Sequence, residues 1–234
     1  MEHIEFLKQI VMDASKIITD DFEVNAKGSR NDLVTTFDFA VEKYLIEQIN
    51  KHYPTFTIVS EEYNNENQES ENCFIIDPID GTINFANKIP FWGIQVACKV
   101  NGEICAAVIY LPRINELFWA DKTGAYLNDK KISVSKYSNL KNAVYSLNGK
   151  NSNLVEEKIK NKLYSKRLFG ACCISFAYVA CGRIHAEYFG NNTPWDYEPG
   201  IYIAKQAGAF IINKNNVHVA CSTEELADLM NLDI

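Results

Sequence analysis

Hydrophobic residues recur at helical spacing in two segments near the start of the chain. In residues 2 to about 20 the apolar side chains stand three or four positions apart, and residues 39–49 repeat this pattern. A stripe of this kind is typical of an amphipathic helix that packs on a sheet. The intervening residues 27–38 contain turn formers and predict a loop with a short extended piece.

The pattern then changes to that of strands. Residues 56–60 and the apolar run that starts at Cys73 predict two strands separated by a polar loop. Residues 91–100 and 103–111 flank an Asn-Gly pair, which is a strong hairpin signal because this pair adopts the tight turn favoured between antiparallel strands. The antiparallel run continues with ELFWA at 116–120 and AYLN at 125–128.

Helical and strand patterns alternate in the second half of the chain. Residues 139–150 are weakly patterned, and we expect a boundary between lobes there. The alternation predicts layered helices and sheets, an α+β fold, although the order of elements alone leaves the topology open. Helices are predicted over 154–164, 173–182, 195–208 and 223–230, and strands over 184–189, 209–212 and 217–220.

Composition and charge limit the functions that need consideration. The chain has 234 residues, of which 47% are hydrophobic and 23% charged, and this is enough to bury a substantial core. No apolar stretch approaches the roughly 18 residues of a membrane helix, and the first residues lack a signal peptide's apolar block, so we expect a cytoplasmic protein. The formal net charge of −7 argues against binding to nucleic acid. Seven cysteines without a Cys-x-x-Cys pair predict reduced core thiols.

Four acidic side chains follow two strands that we expect to be neighbours. Glu61 and Glu62 come after the first of these strands, and Asp77 and Asp80 come after the second. Because loops at the ends of adjacent strands usually gather functional groups, the four acids are expected to converge. Two carboxylates about 4 Å apart repel by roughly 4 kcal/mol at an effective dielectric near 20, so the cluster needs protonation, a cationic side chain or a metal ion.

The surrounding sequence favours the metal ion. Few lysines or arginines lie near these acids in sequence, and oxygen ligands favour Mg²⁺, with Mn²⁺ or Ca²⁺ behind it. An isolated Glu-Glu pair is more often a solvated surface charge or a helix cap. The adjoining Gly81-Thr82 changes this balance, because a glycine turn into a helix presents free backbone N–H groups that suit a phosphate.

Four sequence blocks follow one another along the chain: DLVTTFD at 32–38, SEE at 60–62, DPIDGTINF at 77–85 and PWDYEPG at 194–200. Together they resemble the inositol monophosphatase family of magnesium-dependent, lithium-sensitive phosphatases. The DPIDGT block is highly specific and the others moderately so, and the likeness runs over nearly the whole chain. It implies a layered α-β-α-β-α sandwich, the fold of inositol monophosphatase and fructose-1,6-bisphosphatase, in one domain of residues 1–234 that divides into lobes at 1–138 and 139–234.

The resemblance implies a metal site. Glu61, Asp77 and the backbone carbonyl of Ile79 would hold one Mg²⁺, and Asp77, Asp80 and Asp196 would hold a second, so that Asp77 bridges the ions. Two or three ions per site are implied, with Mn²⁺ as a substitute and Ca²⁺ or Li⁺ as inhibitors. Local sequence alone does not single out Asp196, because a Trp-Asp pair at a helix start is equally explained as an aromatic anchor beside a cap.

The resemblance also assigns catalytic and binding roles. Glu62 would orient a water molecule at the metals, and Asp38 with Thr82 would polarise the attacking water. Lys27 stands where relatives have a lysine near the metal loop, and a solvated lysine is an equally good explanation of it. The residues that would touch phosphate or substrate are Lys27, Asp80, Gly81, Thr82, Cys172, Glu187 and Asp196.

The expected substrate contacts depart from the family pattern. Many members that cleave inositol phosphates carry a glutamate shortly before the Trp-Asp pair, but alignment on Gly190 puts Tyr188 there, with Glu187 one residue earlier. This argues against inositol itself, unless a shift of one residue in strand register brings Glu187 to the other face. Cys172 is an uncommon residue at a position where relatives contact substrate, and a small core residue is the safer explanation.

The expected activity is Mg²⁺-dependent hydrolysis of a small phosphorylated polyol, sugar or related metabolite. Metal ions would activate the water, stabilise the leaving alkoxide and offset the repulsion between an acidic chain and a dianionic substrate. Histidinol phosphate, fructose 1,6-bisphosphate, NADP and 3′-phosphoadenosine 5′-phosphate are alternative substrates. A regulatory binding protein that keeps the fold is the alternative of another class. The sequence does not fix the oligomeric state: relatives are often dimers, but the apolar residues 91–100 would serve equally well in a homodimer interface or in the core.

Overall fold

The computed structural model of the chain describes residues 2–19, 24–26, 33–136, 139–191 and 193–231. The helices are α1 (Glu2–Ser15), α2 (Thr36–His52), α3 (Thr82–Ala86), α4 (Ser152–Ile159), α5 (Cys172–Ala180), α6 (Pro194–Gln206) and α7 (Glu224–Met230). The strands are β1 (Val24–Ala26), β2 (Leu33–Thr35), β3 (Thr57–Ser60), β4 (Cys73–Asp80), β5 (Gly93–Val100), β6 (Glu103–Leu111), β7 (Glu116–Asp121), β8 (Gly124–Leu127), β9 (Lys130–Ile132), β10 (Val144–Gly149), β11 (Ser165–Arg167), β12 (Ala186–Gly190), β13 (Phe210–Lys214) and β14 (Val217–Cys221).

Two large sheets organise the molecule. The first has seven strands in the order β3-β4-β5-β6-β7-β8-β9, with β3 and β4 parallel and the other neighbours antiparallel. The second has five strands in the order β11-β10-β12-β14-β13, in which β10 runs parallel to both of its neighbours. Strands β1 and β2 form a separate antiparallel ribbon.

Three hydrophobic clusters hold helices and sheets together as five layers. Helices α1 and α2 cover one face of the seven-stranded sheet, where Leu7 and Leu45 join Phe74 in one cluster. Helices α5 and α6 lie between the two sheets, and Ile203 belongs to the cluster that fills this space. Helices α4 and α7 cover the outer face of the five-stranded sheet, where Val155 is fully buried. The predicted α-β-α-β-α sandwich is therefore confirmed.

The two N-terminal helices have boundaries that differ from the sequence pattern. Helix α1 ends at Ser15 rather than near residue 20, because the Ser15 hydroxyl donates to the Met12 carbonyl at 2.7 Å and the next residues continue in i−3 turns. Helix α2 starts three residues earlier than predicted. Its start is fixed by a capping box in which Thr35 and Asp38 bond each other's backbone N–H groups.

The hairpin, helices α5, α6 and α7 and the last two strands were predicted correctly, but two strands of the second sheet were missed. Strand β10 was missed because it is paired on both sides and its residues do not alternate between apolar and polar. It lies in the segment that we described as weakly patterned. Strand β11 has three polar residues at a sheet edge. Its presence shortens α4, which ends at Ile159 rather than at residue 164.

Strand β4 brings the acidic residues of the DPID segment into the sheet itself. All eight of its residues are buried. The register with β5 shifts between Asp77 and Asp80, a bulge that accommodates Pro78, which has no N–H group to donate.

All seven cysteines are free, five of them buried, as predicted. None of the helices in the described part of the chain combines the length and apolar character needed to cross a bilayer.

Candidate active site

Asp77 lies near the end of β4, with only 1% of its surface exposed. Its Oδ1 accepts a hydrogen bond from the Ile79 N–H at 3.1 Å, which turns the chain back around the carboxylate at the bulge. Gln95 is its partner on β5 and also donates to this carboxylate. The bulge interrupts the regular pairing of β4 with β5 at this point, so the strand end need not follow the alternating geometry of a regular strand.

Asp80 joins the end of β4 to the start of helix α5. Its Oδ2 accepts from the Cys173 N–H at 2.5 Å and from the Cys172 thiol at 3.1 Å. The N-cap residue of α5 is Ala171, which has no side chain that can cap, so Asp80 provides the capping oxygen from another part of the chain. The partial positive charge of a helix N-terminus stabilises a carboxylate at this position.

Asp196 lies in the first turn of α6 and completes a triangle of ligand atoms. Its Oδ2 accepts from the Thr193 hydroxyl, and its backbone carbonyl lies 2.9 Å from the Cys172 sulfur, so this carbonyl and Asp80 Oδ2 are alternative acceptors for the one thiol proton. One ligand atom from each of Asp80, Cys172 and Asp196 lies within 4.8 Å of the other two. These residues are far apart in sequence, and packing of α5 and α6 between the sheets brings them together.

Glu61 reaches the same cluster from the turn after β3. Its charge acts on Asp77 and Asp196, and it raises the pKa of both carboxyls. The turn is held by Glu42 of α2, which is fully buried and accepts from the Ser60 hydroxyl at 2.5 Å, the Glu62 N–H at 2.8 Å and the Tyr63 N–H at 2.7 Å. Glu42 therefore fixes the backbone on both sides of Glu61.

Burial and mutual repulsion make this group of acids costly to ionise. Burial is the main cause that raises the pKa of Asp77 well above its ordinary value, and repulsion from Glu61, Asp80 and Asp196 adds to it. Burial, and then repulsion from Asp80, raise the pKa of Asp196 to about 8, although the Thr193 hydroxyl opposes the shift. A divalent cation bound among the carboxylates would remove both penalties.

The donor chemistry of the cluster fits such a cation. Four carboxylates and the carbonyl groups beside them are oxygen ligands, which Mg²⁺ requires. Gln95 is fully buried, and its Oε1 has no hydrogen-bond partner among the described residues, although its amide group lies between Asp77 and the Asp196 carbonyl. The carbonyl of Ile79 already accepts from the Thr82 hydroxyl at 3.1 Å, and a carbonyl oxygen has a second lone pair available.

Asp38 and Thr82, the predicted catalytic pair, are in contact. The Thr82 Oγ1 is 3.3 Å from Asp38 Oδ1. The other oxygen, Oδ2, accepts from the Thr35 N–H at 2.7 Å and from its hydroxyl at 2.5 Å, so the capping box of α2 fixes the orientation of the carboxylate. The fully buried Asp38 is thereby aimed at Thr82.

Gly81 makes the turn from β4 into α3, and only glycine suits its conformation. Its φ of +92° lies in the left-handed region, which side chains disfavour. A Cβ atom here would come within 2.9 Å of the Ala171 Cβ and 3.1 Å of the Phe91 carbonyl oxygen. The turn can therefore pack directly against the segment that leads into α5.

Three residues that position this site were missed by sequence reasoning. Gln95 lies in a strand that reads as core, and nothing in its own sequence marks it. Glu42 stands four residues after Asp38, in a helical stripe that is otherwise apolar, and this unexpected charge was a usable signal. Asn84 donates to the carbonyls of Phe91 and Phe169 at 2.6 and 2.7 Å, and so ties α3 to the segment before α5.

The remaining predicted residues have different placements. Lys27 lies outside the described residues. Glu62 is partly buried next to Glu61, and its backbone N–H donates to Glu42 at 2.8 Å. Tyr188 is buried in the cluster beneath α4 and α7, on the face of β12 away from the acids.

Glu187 faces helix α5 but is enclosed rather than exposed to a ligand. It has no exposed surface, and its Oε1 accepts from the Asn148 amide at 2.7 Å. Its Oε2 has no hydrogen-bond partner among the described residues, and the nearby Ser146 and Ser175 hydroxyls lie 3.2 Å from each other. No shift in strand register brings it to the surface of the site, so the structure gives it an interior position instead of a place in the opening.

Glu187→Gln is expected to flatten the pH dependence of stability. Burial raises the pKa of Glu187 from 4.5 to about 8, and its hydrogen bonds oppose this only in part. Between these values the folded protein holds a proton that the unfolded chain has released, so the free energy of unfolding falls as pH rises, by at most about 5 kcal/mol. Glutamine mimics the protonated acid and removes the contribution of this group, whereas the raised pKa values of Asp77, Asp196 and Glu198 keep theirs.

Urea unfolding of both proteins at about pH 5 and about pH 8 measures the difference. Glu157→Gln, on the exposed face of α4, is the control and should leave the wild-type dependence intact. Parallel pH profiles for wild type and Glu187→Gln would show that Glu187 is ionised in the folded protein.

The five-layer fold, with four acids converging at the end of β4, defines a class of α+β proteins whose site suits divalent cations. The chain belongs to the inositol monophosphatase family, whose family model matches residues 2–226. The resemblance inferred from the four sequence blocks is therefore confirmed. The family includes phosphatases.

Two relatives and one solved structure indicate the range of this family. The chain is 34% identical over 205 residues to an inositol monophosphatase of Dictyostelium discoideum, covering 82% of this chain and 75% of that protein. It is 32% identical over 209 residues to the Nus factor SuhB of Escherichia coli K12, covering 85% and 78%. The crystal structure of the extragenic suppressor protein suhB from Bartonella henselae is 29% identical, with a TM-score of 0.87 over 97% of this chain and 96% of that chain.

Proposed function

We propose that this protein is a Mg²⁺-dependent phosphomonoesterase that acts on a small phosphorylated polyol, sugar or related metabolite. The observation that carries the proposal is that Asp80 and Asp196 bring ligand atoms within 4.8 Å of each other, beside the buried Asp77 and the partly buried Glu61. Repulsion among these four acids calls for a cation. These side chains, with the Ile79 carbonyl, are the proposed metal ligands. When bound, Mg²⁺ supplies positive charge that offsets the phosphoryl dianion and activates water.

Asp38 and Thr82 are proposed to orient the attacking water. With Oδ2 committed to Thr35, Asp38 offers Oδ1 to the Thr82 hydroxyl. When that hydroxyl donates to Asp38 rather than to the Ile79 carbonyl, its oxygen lone pairs are free to accept a hydrogen bond from water, so the pair favours one direction of attack. Glu62 is proposed to hold a water molecule from the adjacent turn.

The phosphate is proposed to lie over the turn from β4 into α3. The backbone N–H groups of Gly81 and Thr82 are the proposed donors, and Lys27 remains a proposed cationic contact. Asn84 supports this arrangement, because its two bonds tie α3 to the segment before α5. The site draws Asp77 from residues 1–138 and Asp196 from 139–234, which supports our proposal that both lobes act as one unit.

A second candidate is a binding protein that keeps the fold and acts through a partner. The observation that favours it is that a relative at 32% identity is named a Nus factor rather than a phosphatase. The full set of acids in this chain favours catalysis, because buried acids without a ligand would only reduce stability.

Release of inorganic phosphate from a metabolite panel tests the proposal. The panel contains inositol 1-phosphate, histidinol phosphate, fructose 1,6-bisphosphate, NADP and 3′-phosphoadenosine 5′-phosphate, each with and without Mg²⁺. We expect release from at least one compound, and only with Mg²⁺. No release from any of them, despite Mg²⁺ binding measured by calorimetry, would favour the binding protein.

A further inference from the structure

Cys172 introduces sulfur into a site otherwise built from oxygen. Its thiol lies 3.1 Å from Asp80 Oδ2 and 2.9 Å from the Asp196 carbonyl oxygen. Asp80, Cys172 and Asp196 each place one ligand atom within 4.8 Å of the others. Bonds of 2.0–2.3 Å at a tetrahedral centre separate ligand atoms by about 3.4 Å, so small side-chain movements suffice to bring these three atoms to one ion.

A thiol is a poor ligand for Mg²⁺ and a good one for softer ions. Mg²⁺ takes oxygen ligands almost exclusively, whereas Zn²⁺ and Cd²⁺ bind thiolates strongly. Cys172 is 6% exposed and sits at the start of α5, so the helix and the bond to Asp80 hold its sulfur in place. Its position is therefore fixed among the acids and does not depend on a mobile surface thiol.

A second observation points to a ligand at the same place. Gln95 is fully buried, its amide donates toward the Asp196 carbonyl at 3.5 Å, and its Oε1 has no hydrogen-bond partner among the described residues. The Nε2 atom of this amide faces Asp196, and leaving its buried Oε1 unsatisfied costs about 1–3 kcal/mol. A bound ion or its water would satisfy it.

We propose that Asp80, Cys172 and Asp196 form a mixed sulfur and oxygen site that binds thiophilic divalent ions, such as Zn²⁺ or Cd²⁺, in competition with Mg²⁺. The competition rests on the proposed function, since Asp80 and Asp196 are also the proposed Mg²⁺ ligands. Ligation breaks the S–H bond and forms a metal–sulfur bond, and the proton is released to solvent. No electron is transferred, so no oxidant is required.

Thiols other than Cys172 provide competing explanations for the binding of a thiophilic ion. The Cys173 thiol contacts Asp80, and a pair of thiols lies outside the cluster. Cys98 and Cys105 are hydrogen-bonded to each other on strands β5 and β6, and the Cys98 sulfur lies 3.8 Å from His3 Nδ1. Cys105 is partly exposed. This group lies outside the acidic cluster, so Cys105→Ser serves as a matched control variant.

The test is a titration of the reduced, Mg²⁺-free full chain with Cd²⁺, followed by thiolate-to-metal charge-transfer absorption in the ultraviolet. We expect one saturating step in the wild type and in Cys105→Ser. In Cys172→Ser the step should be lost, and Cd²⁺ affinity should fall at least about tenfold more than Mg²⁺ affinity. Excess Mg²⁺ should move the wild-type step to higher Cd²⁺ concentration.

Serine has a hydroxyl that can donate to Asp80 in place of the thiol, so Cys172→Ser should keep Asp80 in position to cap α5. If Cys172→Ser does not fold, Cys172→Ala is the second variant. A full step in the Cys172 variant, or its loss in Cys105→Ser, would overturn the proposal. So would Cd²⁺ binding seen by calorimetry without thiolate absorption in the wild type. The readout needs no enzyme activity, so a chain that releases no phosphate but shows the Cys172-dependent step would refute only the proposed function.

Discussion

Asp77→Asn is expected to lose at least about 10³-fold in phosphate release while the folded protein becomes more stable in Mg²⁺-free buffer. The activity is lost because Asp77 is the proposed ligand shared by both metals, and metal assistance is worth several kcal/mol in the transition state. Stability rises because the carboxyl's pKa is raised on folding, so its ionised form costs free energy at neutral pH.

Asparagine suits the space that Asp77 occupies. Its carbonyl oxygen can still accept from the Ile79 N–H, and its amide can donate to the unpaired Oε1 of Gln95. Replacing a buried, repelled charge by a neutral group of the same shape is neutral to stabilising by about 1–4 kcal/mol. Thermal unfolding with and without Mg²⁺ measures this, and the variant should also lose the stabilisation that Mg²⁺ gives the wild type.

Asp121→Asn is the matched control. Asp121 is buried at the end of β7, but it accepts from the Thr123 N–H at 2.7 Å and from its hydroxyl at 2.5 Å. Its loss should cost about 1 kcal/mol and leave the Mg²⁺ response intact. An Asp77→Asn protein that is less stable than the wild type without Mg²⁺, or that keeps its response to Mg²⁺, would contradict the proposed site.

Glu42→Gln is expected to weaken Mg²⁺ binding about 10- to 100-fold and to lower the free energy of unfolding by about 2–3 kcal/mol. Glu42 accepts three hydrogen bonds through two oxygens, and two of the donors are backbone N–H groups of Glu62 and Tyr63. Glutamine has one acceptor oxygen, so its amide N–H group must face a donor. The turn that carries Glu61 would then shift.

Calorimetric titration with Mg²⁺ and urea unfolding measure the two effects of Glu42→Gln. Glu47→Gln, on the exposed side of the same helix, controls for the loss of one negative charge. Glu42 acts only through the turn, so its loss should weaken metal binding more than it weakens saturating activity at high Mg²⁺. Equal Mg²⁺ affinity in wild type and Glu42→Gln would mean that Glu42 supports the fold without positioning the site.

Local sequence was sufficient for the parts of the fold in which one face is buried. The helices α1 and α2 and the hairpin of β5 and β6 follow from the spacing of their apolar residues and from an Asn-Gly turn. Strand β10 could not be found in this way, because it is paired on both sides and carries no alternation. The bulge in β4 was equally invisible, since it depends on pairing with β5.

The candidate site could be predicted only in part for the same reason. Asp77 and Asp80 could be identified from sequence, because two carboxylates at the end of an apolar strand are unusual and indicate a functional site. Asp196 came from the family resemblance alone, since its contacts with the cluster depend on packing of α6 between the sheets. The support from Glu42 spans 18 to 21 residues of sequence, beyond the reach of any local pattern.

The most direct test is anomalous scattering from crystals grown with Mn²⁺ and phosphate, because Mn²⁺ substitutes for Mg²⁺ and can be located without bias. Our account predicts peaks roughly 2.0–2.4 Å from the carboxylate oxygens of Asp77, Asp80 and Asp196, with Glu61 on one of the ions and phosphate beside them. Crystals in which these carboxylates turn apart and no peak lies between them would contradict it.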